Sequence, residues 1–253
     1  LVEEFIKVKF CKKSEGDFLE RVKTGIKGFD TLLQGGIPRG SSVLLSGGAG
    51  TCKTILAMQY IYNGAVQFQE PGLFVTIESN AKNIMWNMES FNWDIKKMQE
   101  DKLMSIYKLK ISPAGAEMGE IDAELEAIKK QVEELGAKRL VIDSTTALGV
   151  LIKDSATIRN TLFKFVDSIK ELGCTTILTA EIEGGSKTKF SAFGVEEFLV
   201  DGVVALYFTP PHRSMFVRKM RGTNHDKNVH PFQIGADGVE IKAKEQIIWE
   251  AIK

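Results

Sequence analysis

The sequence predicts an α/β protein: a mostly parallel central sheet flanked by helices, extended by antiparallel strands near the C-terminus. Three observations carry this. First, the small-residue loop Ser46-Gly47-Gly48-Ala49-Gly50-Thr51-Cys52-Lys53-Thr54 lies between the apolar run Val43-Leu44-Leu45 and the helix-like Ile55-Leu56-Ala57-Met58. Strand, loop, Lys-Thr and helix in that order is the context of a phosphate-binding P-loop. Second, apolar runs of strand length alternate with segments of helical period as far as residue 182, as in a parallel sheet with crossover helices. Third, the apolar runs 203–208, 215–220 and 232–241 follow one another with no helix between them, as antiparallel strands do.

The 253 residues suffice for one large domain with a substantial core. Hydrophobic residues make up 43% and charged residues 26%, an ordinary globular composition. Lys+Arg and Asp+Glu total 33 each, so no global charge draws the chain to DNA or to an anionic membrane. Cys11, Cys52 and Cys174 are scattered. They suggest neither a disulfide framework nor a zinc site, and fit a reducing cytoplasm. No apolar run approaches transmembrane length and no signal peptide is visible, so the expectation is a cytoplasmic protein without a membrane partner.

The elements follow in order. Residues 1–20 alternate weakly at Ile6, Val8 and Phe10 and then turn polar. They form an N-terminal extension, either a docking strand or a loosely ordered lead-in; the main domain is residues 21–253. Gly25, Gly28, Gly35, Gly36 and Pro38 punctuate turns around one short helix and deliver the chain to the P-loop strand. Residues 72–78 form a second strand ending at Glu78, and a helix follows as far as Phe91. A third strand is expected at 103–111, a charged helix at 121–135, and a fourth strand at Lys138-Arg139-Leu140-Val141-Ile142-Asp143-Ser144. An amphipathic helix at 156–172 and a fifth strand at 175–182 complete the alternating part. There is no repeat, low-complexity tract or domain linker.

The P-loop chemistry follows from residue type. Gly47, Gly48, Ala49, Gly50 and Thr51 are small enough for backbone N–H groups to converge on an anion, and the helix opening through Ile55 adds unpaired donors and a favourable dipole. Lys53 then reaches the β/γ-phosphates of ATP, and the Thr54 hydroxyl is a ligand for Mg²⁺. Cys52 departs from the pattern, which has glycine before the lysine. A small thiol is tolerated there, or it crowds and weakens the site. Beside Lys53 at a helix N-terminus it is also expected to have a lowered thiol pKa, making a redox-sensitive site.

Ligands of open parallel sheets sit at the carboxyl ends of strands. Asp143, after Leu140-Val141-Ile142, is placed to hold Mg²⁺ or its water; a strand-end Asp otherwise caps a turn. Glu78 is the candidate base for the attacking water, with a turn role as its alternative.

The chain resembles the RecA/RadA superfamily through the segment Thr24-Gly25-Ile26 to Gly36-Ile37-Pro38, the P-loop, and the strands ending at Glu78 and Asp143. Three further segments resemble its KaiC branch. They are Ser90-Phe91-Asn92-Trp93-Asp94, Gly194-Val195-Glu196-Glu197-Phe198 with Asp201, and Lys219-Met220-Arg221-Gly222-Thr223-Asn224-His225. The resemblance covers about residues 21–241. It implies a RecA-like fold and a hexameric ring with ATP bound between subunits. Lys53, Glu78 and Asp143 act on one side, and Lys219 and Arg221 reach the neighbour's γ-phosphate. Met220, Thr223 and His225 lie near that nucleotide, and Ser90 sits near the base or ribose. Without the resemblance, Lys219 and Arg221 read as one face of an alternating strand, with Arg218 on the other. Three departures stand out: Cys52; Ser79, where the branch often has a second acidic residue; and Ile234-Gly235-Ala236-Asp237-Gly238, where it has Ile-Thr-Asp-x-Gly. The clock protein that names the branch has two such domains and an autophosphorylated tail; this sequence reads as one domain, and the resemblance implies neither a clock role nor autophosphorylation for it.

Three functions compete. The first is a slow Mg²⁺-dependent ATPase forming a ring whose nucleotide state governs an unidentified protein partner. The second is a recombinase-like DNA-binding ATPase, supported by the basic loop Gly184-Gly185-Ser186-Lys187-Thr188-Lys189-Phe190 and weakened by neutral net charge. The third is a non-catalytic nucleotide sensor, supported by Cys52 and Ser79.

Overall fold

The chain enters through β1 (Arg21–Val22), loops round the short helix α1 (Phe29–Leu32) and returns as β2 (Ile37–Pro38), which pairs with β1. In this computed structural model, which describes residues 19–111, 118–150, 152, 155–182 and 188–248, Asp30 holds that loop together. Its carboxylate accepts from Thr24 N and Oγ1, both at 2.8 Å, and from Gly25 N at 3.1 Å. Gly36 has φ 132° and would place a Cβ 2.3 Å from Val22 O, so no side chain fits there.

The alternating part comprises β3 (Ser42–Gly47), α2 (Lys53–Phe68), β4 (Gly72–Thr76), α3 (Ala81–Met88), α4 (Ile95–Glu100), β5 (Met104–Lys108), α5 (Met118–Leu135), β6 (Arg139–Asp143), α6 (Thr145–Val150), α7 (Ser155–Glu171) and β7 (Thr175–Glu181). A short α8 (Glu196–Leu199) leads to β8 (Gly202–Thr209), β9 (His212–Met220), β10 (Val229–Gly235) and β11 (Gly238–Ile241). Among the described residues the main sheet runs β11-β10-β9-β8-β3-β7-β6-β4-β5. Strands β8 to β5 in that order are parallel, and β9, β10 and β11 are antiparallel.

Strand alternation divides the core between the two faces. Val43 and Leu45 join α2 residues Leu56, Tyr60 and Ile61 on one face, while Leu44 joins Ile128 of α5 and Phe165 of α7 on the other. Each such fully buried side chain contributes ~1.5–3 kcal/mol. Arg139 is an exception inside an apolar strand: it is fully buried. Its guanidinium bonds Glu70 Oε2 (2.8 and 2.7 Å), Tyr60 O (3.0 Å) and Lys23 O (2.8 Å), which satisfies the charge. Gly64 makes room for it, since a Cβ there would lie 2.4 Å from the Arg139 side chain. Among the described residues no helix is long and apolar enough to cross a membrane.

Three expectations about elements are corrected. The helix expected to reach Phe91 stops at Met88, because Asn80 and Asp94 cap two separate helices through Asn83 N and Lys97 N. Between them Trp93 stacks on Phe91, and Asn92 N donates to Ala236 O at 2.8 Å, drawing the chain off the helical path. The third strand shrinks from 103–111 to Met104–Lys108, matching the five residues that β4 offers. The run 232–241 is a hairpin rather than one strand. Gly235 faces Gly238, whose φ of 103° turns the chain where a Cβ would strike Trp93 at 2.5 Å. The expected N-terminal extension lies outside the described residues apart from Leu19 and Glu20, as does the 184–187 part of the basic loop.

Candidate functional site

Parallel register brings the carboxyl ends of four strands to one edge. Gly47 of β3 faces Glu181 of β7, and Thr76 of β4 faces Asp143 of β6. The edge encloses a cavity of about 500 Å³ whose lining includes Cys52, Lys53, Thr54, Glu78, Asp143 and Glu181.

Gly47 cannot carry a side chain: a Cβ would stand 2.6 Å from Thr51 Oγ1 and 2.7 Å from Leu206 O. The Thr51 hydroxyl donates to Gly48 O at 2.8 Å, tightening the loop before α2 begins at Lys53. Lys53 is 7% exposed, and its Nζ donates to Gly47 O and Gly48 O, both at 3.0 Å, and lies 3.5 Å from Glu181 Oε1. Thr54 Oγ1 donates to Asp143 Oδ2 at 2.9 Å, and Thr179 Oγ1 donates to the other carboxylate oxygen. The strand expected to end at Glu78 stops at Thr76, so Glu78 stands two residues beyond β4. Burial, then the nearby carboxylates of Glu181 and Asp143, push its pKa up against the opposing pull of Lys53.

Cys52 occupies a left-handed backbone position, φ 71° and ψ 29°, which explains why glycine suits this place in the loop. A side chain there costs ~1 kcal/mol. The expected lowering of its thiol pKa is overturned. Burial raises it, and the charges of Arg213 and Lys53 offset only part of that. Desolvation penalises a thiolate more than two partly screened cations favour it.

Two residues at this edge were not singled out from the sequence. Glu181 ends β7, the strand between the P-loop strand and the Asp143 strand. The strand-end rule that picked out Glu78 and Asp143 also finds it. Arg213 has no such signal. The β8–β9 hairpin pairs it with Phe208, where its guanidinium lies 4.3 Å over the ring and its Nε donates to Gly50 O at 3.0 Å.

Lys219, Met220, Arg221, Thr223 and His225 are at the opposite edge. Val43, at the start of β3, faces Gly202, which faces Met220; the P-loop end, Gly47, faces Leu206. Four residue steps separate the two ends, about 13 Å along the strand. Lys219 Nζ donates to Glu197 O (3.1 Å) and Val200 O (2.6 Å), and Arg221 Nη1 pairs with Asp201 Oδ1 at 3.1 Å. Thr223 Oγ1 accepts from Arg21 Nη1 at 2.9 Å, and His225 Nδ1 lies 2.7 Å from Asp226 O. The Met220 side chain is buried.

The expectation that Arg218 faces away from Lys219 is also overturned. The β8–β9 register shifts between Val203, opposite Lys219, and Val204, opposite Val217, leaving Arg218 as a bulge. Its guanidinium lies 5.5 Å over Phe190, in the same apolar cluster as the Val200 whose carbonyl holds Lys219. The bulge thus puts both cations on one side of the strand.

Ser90 is exposed and is not among the residues lining the P-loop cavity. Its segment meets the 236–237 turn: Asn92 Nδ2 donates to Asp237 Oδ1 (3.0 Å) and Trp93 Nε1 to Asp237 O (3.2 Å). The Ser90 segment and the departing 234–238 segment are therefore neighbours in space.

A family model described as "ATPase: KaiC" matches residues 22–246. The chain is 36% identical over 236 residues to the circadian clock oscillator protein KaiC of Synechococcus elongatus, a match covering 90% of this chain and 45% of that protein. It is 36% identical over 239 residues to the circadian clock oscillator protein KaiC of Acaryochloris marina, covering 91% and 46% respectively. The chain spans about half the length of the curated relatives it matches. Among solved structures, a KaiC-like protein from the hyperthermophilic archaeon Pyrococcus horikoshii OT3 aligns with a TM-score of 0.79 and 38% identity, over 88% of this chain and 99% of that one.

Proposed function

The chain belongs to the KaiC ATPase family and has its RecA-like fold, and from that premise we propose a slow, Mg²⁺-dependent ATPase whose active sites form between the subunits of a ring. The ring is the hexamer that the family resemblance implies, and its nucleotide state governs a protein partner. Residues 21–253 are the ATPase domain in this reading, and 1–20 an extension. The observation that carries it is the separation of Lys219 and Arg221 from their own P-loop, at opposite ends of β3, β8 and β9. Cations that cannot reach the phosphates of their own subunit are suited to a neighbour's.

Each residue then has a task. Backbone N–H groups of 47–52 cradle the phosphates, and Lys53 exchanges its two carbonyl bonds for phosphate oxygens. Glu78 takes the proton of the attacking water; its raised pKa makes it a stronger base than an exposed glutamate. Lys219 and Arg221 of the adjacent subunit meet the charge that develops on the γ-phosphate. Met220, Thr223 and His225 adjoin the same nucleotide, and Ser90 its base or ribose.

The oxygens of Thr54 and Asp143, one hydrogen bond apart, suit Mg²⁺, which binds few protein oxygens and keeps several waters. When bound, Mg²⁺ neutralises charge on the β- and γ-phosphates.

The non-catalytic sensor is the second reading, favoured by Ser79 and the strained Cys52. DNA binding is less favoured, since the net charge is zero. One experiment separates the ATPase from the sensor: complex mass with and without ATP·Mg²⁺, coupled to phosphate release, with Lys53→Ala as the binding-dead control; salt-dependent DNA binding would mark the DNA-binding reading. A nucleotide-dependent ring that releases phosphate is the expected result. A ring that binds ATP and releases none establishes the sensor, and a monomer with full turnover rejects the interface.

A further inference from the structure

Asp201 joins two parts of the molecule that the proposed mechanism uses separately. Its backbone N–H donates to Ser42 O at 2.8 Å, and its carbonyl accepts from Arg221 N at 2.9 Å. The carboxylate repeats the link. Oδ2 accepts from Ser42 N and Ser42 Oγ, both at 3.0 Å, while Oδ1 pairs with Arg221 Nη1 at 3.1 Å. Lys170 Nζ lies 3.6 Å from Oδ2 and is itself fixed on Leu199 O at 2.6 Å. Ser42 is the first residue of β3, the strand whose other end presents the P-loop.

The balance of forces favours an ionised Asp201. Burial alone raises its pKa, but the two Ser42 donors, then Lys170 and Arg221, outweigh it and hold the carboxyl below its ordinary value. The carboxylate also lies among three cations, since Lys219 shares this corner. Lys219 is lowered by burial and then by Arg221, with Asp201 opposing. Arg221 is held at one nitrogen while its side chain stays 60% exposed. A guanidinium has five N–H donors, so a single ion pair leaves the fork able to grip a phosphate.

We propose that Asp201 is the positioning residue of Arg221, orienting it from the strand that also carries the P-loop, so that the site a subunit builds and the cation it lends share one rigid reference. The inference rests on the interface reading above. Its physical basis is pre-organisation: an unheld Arg side chain must be ordered at each turnover, and a misplacement of about 1 Å can cost on the order of 100-fold in rate.

The test uses Asp201→Asn, which keeps the shape and removes the charge, measured in steady-state phosphate release over a range of ATP·Mg²⁺ concentrations. The expected result is a fall in kcat of between about tenfold and a hundredfold, with KM for ATP and complex mass unchanged. In an Arg221→Ala background the same substitution should cause no further loss, which general structural damage would not reproduce. A kcat within about twofold of the parent, or an equal fall in both backgrounds, overturns the proposal. If Asp201→Asn does not assemble, Ser42→Ala removes a donor and keeps the ion pair; it should give a smaller fall with the same dependence on Arg221, and no fall overturns the proposal. Normal turnover by Arg221→Ala alone sinks the interface reading and this inference with it. A slow Arg221→Ala beside a normal Asp201→Asn sinks only this inference.

Discussion

Thr54 and Asp143, 89 residues apart in sequence, are joined by a hydrogen bond of 2.9 Å from the threonine hydroxyl to the carboxylate. Metal binding in place of that bond predicts that Asp143→Asn raises the Mg²⁺ concentration for half-maximal ATP hydrolysis by about tenfold or more. Thr54→Ala should act in the same direction. A Mg²⁺ titration that superposes on the parent's would assign the pair to structure alone.

Glu78 predicts the pH profile. A base must be ionised to act, and burial followed by Glu181 and Asp143 raises its pKa. Activity should therefore fall, as pH is lowered, at a higher pH than an ordinary glutamate gives. Glu181→Gln removes one repelling carboxylate and should move that limb to lower pH. Glu78→Gln should retain ATP and lose ~10²-fold or more in kcat. Normal turnover by Glu78→Gln would mean that another group activates the water.

Cys52 predicts resistance to oxidation. Burial holds its thiol above the usual range, so little thiolate is present at neutral pH and a mild oxidant should inhibit weakly. Cys52→Gly should raise ATP affinity by relaxing the φ 71° position, with stability changed by less than ~1 kcal/mol, since glycine also loosens the unfolded chain. Strong inhibition of the parent that spares the glycine variant would restore a redox switch.

The proposed interface mechanism predicts complementation. Arg221→Ala should bind ATP and hydrolyse it ~10³-fold more slowly. Chains carrying Glu78→Gln and chains carrying Arg221→Ala, each inactive alone, should regain activity when mixed under subunit exchange. Some interfaces then pair an intact Glu78 with an intact Arg221. Silent mixed rings, with exchange verified by mass, would rule the interface mechanism out.

Period and turn chemistry are local, so the alternation of strands and helices as far as β7 is legible in the chain, while the splits into α3 and α4 and into β10 and β11, and the short α6 and α8, are not. The P-loop with its strand–loop–helix context and the acid that ends β6, Asp143, are equally legible, whereas Glu78, read as a strand end, lies two residues past β4. What meets at that edge is settled by packing. Glu181 faces Gly47 because β7 inserts between β3 and β6, and Arg213 reaches Gly50 because β9 turns back beside β8. Strand order and register are long-range pairings that no local pattern encodes. The bulge at Arg218 breaks an alternation that the sequence carries intact. The hairpin at Gly235 and Gly238 closes where Trp93 leaves room for no side chain. Cys52 is the plainest case: its neighbour Lys53 is written in the chain, but the burial that outweighs that charge exists only once the chain has packed.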